Sequence, residues 1–200
     1  MKKIVVVFIA IAMSFSIKSQ EVIKQKEVGI SFQNFDNFGL VFKTGNTQSL
    51  WRFGAMNTSG YSLTSKTDSA KSTRDNFGLR LVVGKEFRKK ITDELAFVYG
   101  LDGSFAFNKY INDNDDQSVS DYDSNNKTYS YRPALNLVLG LNYDFNDKLS
   151  IQGEIYPGVT YIYSRSEIEN LDHSTTQSDQ SDFYYQLSNS SATLTVVYCF

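Results

Sequence analysis

The sequence predicts a β-barrel that crosses a membrane with its strands, and three observations carry that reading. Apolar residues recur with period two over most of the chain after residue 26. The alternating segments number eight and are joined by connections that alternate between short and long, as in an up-and-down meander. One face of these segments is bulky and apolar, and the other is polar or small.

The chain opens on Met1-Lys2-Lys3 and an uncharged apolar run over 4–17. That run is too short for a spanning helix, which needs about 20 apolar residues. A basic start, a short apolar stretch and a small residue at Ser19 instead predict a secretory signal peptide over 1–19, leaving a single domain over 20–200. Its removal takes away Lys2, Lys3 and Lys18, so 17 of the 20 basic residues remain against 22 acidic ones.

Strands are expected at 27–34, 37–44, 50–63, 77–88, 95–107, 129–145, 149–163 and 192–200. The sixth is the clearest: Tyr131, Leu135, Leu137, Leu139, Leu141 and Tyr143 alternate with Arg132, Ala134, Asn136, Val138, Gly140 and Asn142. The fifth sets Phe97, Tyr99, Leu101 and Phe105 against Ala96, Gly100, Asp102 and Ser104. Short turns fall at 45–49, 89–93 and 146–148, the first hairpin turns tightly near Asp36, and long polar loops are expected at 64–76, 110–127 and 166–182.

Eight alternating strands suit either a soluble barrel with its apolar face inward or a membrane barrel with that face outward. Bulky side chains would overfill an eight-stranded lumen, whereas the small and polar face fits it. The segment 131–143 carries aromatics at its ends and leucines between, the girdle pattern of a lipid-facing strand. At about 3.3 Å per residue and about 40° of tilt it spans roughly 30 Å, close to an apolar membrane band. The expected fold is therefore all-β, an eight-stranded antiparallel up-and-down transmembrane β-barrel.

On these residues the chain resembles the small eight-stranded outer-membrane barrels of OmpA/OmpX type, in the style found in Bacteroidetes-like Gram-negative bacteria. The carriers are the leader, the strand rhythm, the segment from Gly29 to Gly60 and the C-terminal ATLTVVYCF. The resemblance implies an outer-membrane location, surroundings of membrane lipid and lipopolysaccharide, and handling by a barrel assembly machinery. It also implies an insertion signal in the last strand, matched by Thr193, Tyr198 and Phe200, with Thr195 where the pattern has glycine. It implies no reaction.

The composition narrows the chemistry. Lys and Arg do not exceed Asp and Glu, so nothing points to nucleic acid. One Cys and one His leave no disulfide framework and no Cys-based zinc site. His173 lies beside Ser174 with Glu167, Glu169 and Asp172 near, but adjacent loop residues do not supply the fixed geometry a hydrolase needs. Asp121, Asp123 and Asn125 imitate the start of a calcium loop, yet Asn126 stands where Gly is required and Arg132 where the closing Glu belongs. The acidic loops, which include Asp113, Asp115 and Asp116, read as solvated. Cys199 reads as a small residue near the rim. No cofactor, no metal and no catalytic residue is expected.

What remains is the inward face. Lys43, Arg52, Arg80 and Arg132 balance Glu86, Asp102, Asp144 and Glu154 there. Because burying a charge without a partner is costly, these groups are expected to pair and plug the narrow lumen, with Asn136 in the network. A turn over 89–93 that pairs Arg88 with Glu94 would set Arg80 opposite Asp102, and an Arg80–Asp102 ion pair is expected. The function expected is structural or surface-interacting and non-enzymatic. The alternatives are a narrow channel or transporter for small solutes and, third, a lipid-modifying enzyme.

Overall fold

The computed structural model describes residues 25–34, 36–66, 70–116, 124–169, 174–186 and 192–200, and the expected signal peptide lies outside them. Among the described residues ten strands run in chain order: β1 (Gln25–Phe32), β2 (Phe38–Asn46), β3 (Ser49–Lys66), β4 (Ala70–Lys90), β5 (Leu95–Asp116), β6 (Ser124–Asp144), β7 (Leu149–Ile155), β8 (Gly158–Glu169), β9 (Thr175–Gln186) and β10 (Ala192–Cys199). They make eight staves. β7 and β8 run end to end along β6, while β9 and β10 run end to end along β8 and β7. The barrel closes where β1 pairs antiparallel with β10, which brings the Phe200 N–H onto the Lys26 carbonyl at 3.0 Å. This is a closed, eight-stranded, antiparallel transmembrane barrel.

The alternation read from the sequence places the side chains. Ile30, Leu40, Leu81, Val83, Leu101, Leu137 and Val196 face outward and are exposed, while Val41, Val98, Val138 and Val197 are buried inside. An outward apolar band of this kind is unstable in water and suited to lipid. Aromatic rings edge the band at both ends. Phe87, Phe97 and Tyr99 stack near the turns, and Phe105, Phe107, Tyr131 and Tyr163 cluster at the far edge. Lys85, on the outward face, lies 4.7 Å from the centre of the Trp51 ring. Its ammonium is thereby held at the polar boundary.

Three expectations need correction. The strands do not end where the apolar alternation ends: β3 to β6 continue through most of the expected loops at 64–76 and 110–127, and β9 occupies most of the expected loop 166–182. Ser, Thr, Asn and Tyr hold these outer halves together across strands, as in Ser130–Ser164 at 2.8 Å and Thr128–Ser166 at 3.0 Å. With both faces wet, such strands show no period-two hydrophobic signal.

The segment 149–163 is not continuous either. Both prolines of the chain, Pro133 and Pro157, lie on the seam between β6 and the β7–β8 stave. The ladder there skips from Tyr131–Tyr163 to Ala134–Thr160, and again from Asn136–Gly158 to Leu139–Ile155. A proline lacks the N–H that a ladder needs.

The third correction is the β4–β5 register. Lys90 pairs with Ala96 and Arg88 with Val98, not Glu94. The turn is centred on Asp93, with Thr92 Oγ1 accepting the Leu95 N–H at 3.0 Å and the Ile91 N–H donating to the Leu95 carbonyl at 2.8 Å. Arg80 therefore stands opposite Ala106, and Asp102 opposite Gly84.

The wall is uneven in height. β1 and β2 stop at Phe32 and Phe38, joined by a turn in which Asn34 Oδ1 accepts the N–H groups of Asp36 and Asn37. β3 loses its β2 partner after Met56 and is irregular at Asn57–Ser59, then continues along β4 alone. Among the described residues β9 pairs only with β8. An open sheet of β3, β4, β5, β6, β8 and β9 thus rises from one side of the barrel.

Candidate functional site in the barrel lumen

One hydrogen-bonded row crosses six strands and carries Glu27, Lys43, Arg52, Gly84, Asp102 and Asn136, all facing inward. Around it the lower lumen is filled. Glu86, wholly buried, accepts from Lys43 Nζ at 2.8 Å and from Arg88 Nε at 2.7 Å. Arg88 also grips both oxygens of Glu27 at 2.7 Å each. Lys43 donates to Gln152 Oε1, and Gln152 Nε2 donates to Glu154 Oε1 at 2.9 Å. Arg52 forms a two-pronged pair with Glu154 and donates to the Tyr156 hydroxyl at 3.0 Å. Tyr156 in turn donates to Glu154 Oε2 at 2.5 Å and meets Thr193 Oγ1 at 3.2 Å.

Groups from β1, β2, β3, β4 and β7 therefore meet at the centre. A charge at this depth is retained only when paired, because its desolvation is large. Gly84 has a steric role in the arrangement. A Cβ there would collide with Asp102 Oδ1 and lie 2.5 Å from the Leu101 carbonyl oxygen, so glycine leaves the space in which Asp102 approaches Arg52 across β4. That approach is an ion pair of 3.7 Å without a hydrogen bond.

The expected lumenal residues divide. Lys43, Arg52, Glu86, Asp102 and Glu154 come together in this layer. Asp144 sits nearer the turns, accepting from Asn142 Nδ2 at 2.6 Å. Asn136 donates to Ser104 Oγ at 3.3 Å and makes no hydrogen bond to Asp102. The Arg80–Asp102 ion pair is absent: the register places Arg80 four residues higher, and Arg52 takes its place beside Asp102. Glu27, Arg88, Gln152 and Tyr156 belong to the layer but were not among the expected members. Their inward parity was visible in the sequence, while the partner of each depends on the stagger of the staves.

Above this layer lies a cavity of about 320 Å³. Arg52, Asp102 and Tyr156 form its floor, Ser31, Val41, Ala55, Val82 and Thr195 line its wall, and Arg80 and Arg132 also face it. Of the last-strand residues, Tyr198 and Phe200 are exposed on the outside, whereas Thr193 points into the cavity. His173, Asp121 and Asp123 lie outside the described residues. Among the described residues no cluster of three or more His, Cys, Asp or Glu is placed to hold a metal.

No protein-family model and no curated protein matches the sequence. Among solved structures, the chain is similar to a major outer membrane protein from Thermus thermophilus, at 13% identity and a TM-score of 0.52, over 88% of this chain and 98% of that one. It also matches the ferric yersiniabactin uptake receptor FyuA from Yersinia pestis at 13% identity and a TM-score of 0.46, over 82% of this chain and 25% of that one. The match to Acinetobacter baumannii CarO has 11% identity and a TM-score of 0.37, over 92% and 99%. The first of these shows the shared barrel fold.

Proposed function

We propose that this protein is an outer-membrane barrel of the small OmpA/OmpX kind that conducts no solute and works through its outward-rising sheet and upper lumen, without catalysis. The exposed apolar band between aromatic edges supports the location, with membrane lipid and lipopolysaccharide as its surroundings and a barrel assembly machinery reading the exposed Tyr198 and Phe200. One observation carries the closed state. The ion-pair layer of Lys43, Glu86, Gln152, Glu154 and Arg52 is almost wholly buried, and Leu50, Val98, Val138 and Val197 pack the same lower lumen. Eight staves leave an interior that side chains just fill. A narrow channel would need this layer to part, which would strand several charges at once.

The test is conductance. Protein purified from the outer-membrane fraction and reconstituted in planar bilayers should give no unitary current steps. Reproducible steps at single-barrel density would overturn the closed reading and favour the channel.

A further inference from the structure

Lys43, Arg52, Arg80, Arg88 and Arg132 face the lumen from the staves, and the fold treats them differently. Lys43, Arg52 and Arg88 each stand against carboxylates. Arg80 and Arg132 have no carboxylate within ion-pair reach among the described residues and donate no hydrogen bond to one of them. Yet the fold sets these two side by side. Arg80, Ala106 and Arg132 are consecutive in one hydrogen-bonded row, so the arginines flank a buried alanine on the same face of the sheet. Two strand spacings separate them, about 10 Å at the backbone, which long guanidinium side chains readily close.

The nearest carboxylate in the floor, Asp102, lies four residues down β5 from Ala106, about 13 Å along the strand, and faces Arg52. Tyr156 is engaged by Glu154 and Thr193. Both arginines border the cavity of about 320 Å³, whose remaining wall mixes hydroxyls (Ser104, Thr160) with apolar groups (Met56, Ile162). Like charges placed together over a small alanine match the chemistry of a doubly charged oxyanion, which guanidinium forks bind through paired N–H donors.

We propose that the upper lumen binds a phosphate group between Arg80 and Arg132, belonging either to a small phosphorylated solute or to a lipid headgroup. The proposal is independent of whether the lower lumen conducts, since the site lies above the sealed layer.

Calorimetric titration of the folded full chain in a non-ionic detergent tests it, with inorganic phosphate and dihexanoyl phosphatidic acid as separate probes. Saturable one-to-one binding of at least one probe is expected. Binding of inorganic phosphate marks a solute source as sufficient, and binding of the lipid alone marks a headgroup. Arg80→Gln and Arg132→Gln should each weaken binding by about tenfold or more, as loss of a charged hydrogen-bonding partner does. Ala106→Glu sets a carboxylate between the arginines; it should abolish phosphate binding while the barrel stays folded, and it decides the matter if an arginine variant fails to fold. Absence of saturable binding by either probe, or undiminished binding in Ala106→Glu, would overturn the proposal.

Discussion

Two arginines at opposite ends of this molecule hold carboxylates at nearly the same distance. Arg88 donates to Glu27 and Glu86 at 2.7 Å inside the lower lumen, with side chains 8%, 2% and 0% exposed. Arg165 donates to Asp179 at 2.9 Å on the outer sheet, with side chains 45% and 51% exposed. Geometry alone does not separate them. Water does: the outer pair trades one hydration shell for one contact, whereas the inner groups have no hydration to fall back on. Identical chemistry therefore specifies the barrel interior in one place and decorates a surface in the other.

The contrast is broken most severely at Glu86. Glu86→Ala removes one acceptor each from Lys43 and Arg88, leaving Lys43 with only the neutral Gln152 and Arg88 with Glu27 alone. It should lower the unfolding free energy by about 3–5 kcal/mol, read from urea unfolding of the detergent-folded barrel. A change near zero would mean that water reaches the layer, and the two ends would no longer differ.

A smaller effect is expected at Gly84. The methyl group of Gly84→Ala meets both the Asp102 carboxylate and the Leu101 carbonyl oxygen, and the second belongs to backbone that cannot swing aside. About 1–3 kcal/mol should be lost in the same assay, as for overpacked interiors. Full stability would show that Asp102 can leave Arg52 at no cost.

The smallest effect belongs to the outer pair. Asp179→Asn should leave the thermal midpoint at neutral pH indistinguishable from that of the parent. The hydrogen bond from Arg165 holds the Asp179 carboxyl below its usual range, and the same contact raises the Arg165 guanidinium. A carboxyl lowered in the folded state contributes above its unfolded value and loses that contribution as pH falls through the lowered one. Mild acid should therefore leave the contact intact. A clear drop in the midpoint of Asp179→Asn would show that the outer sheet depends on pairing as the lumen does.

The largest of these expectations rests on partners that single-strand reasoning assigned only in part. Lys43, Arg52, Glu86, Asp102 and Glu154 were recognisable as inward because parity along one strand settles a side chain's face. The pairing of Arg52 with Asp102, in place of Arg80, came from a turn centred two residues later than its charged flanks suggested. A shift of two residues in a turn moves the facing partner by four, so it preserves every inward face while replacing the contacts. The outer strands escaped notice for a different reason. Ser, Thr and Asn on both faces give a wet ladder the composition of a loop, and β9 reads as polar although it pairs with β8 along its whole length.

The amino-acid sequence by itself determined the face of each side chain within the alternating segments, the eight-stave rhythm and the outward apolar band, because these follow from the two-residue repeat of a strand and from the transfer of apolar groups out of water. The tertiary structure alone decided which charges meet, how high each stave rises, and that Arg80 and Arg132 share a row over Ala106. Those depend on register and stagger, which are set jointly by turns and by closure of the ring, and no single strand carries that information.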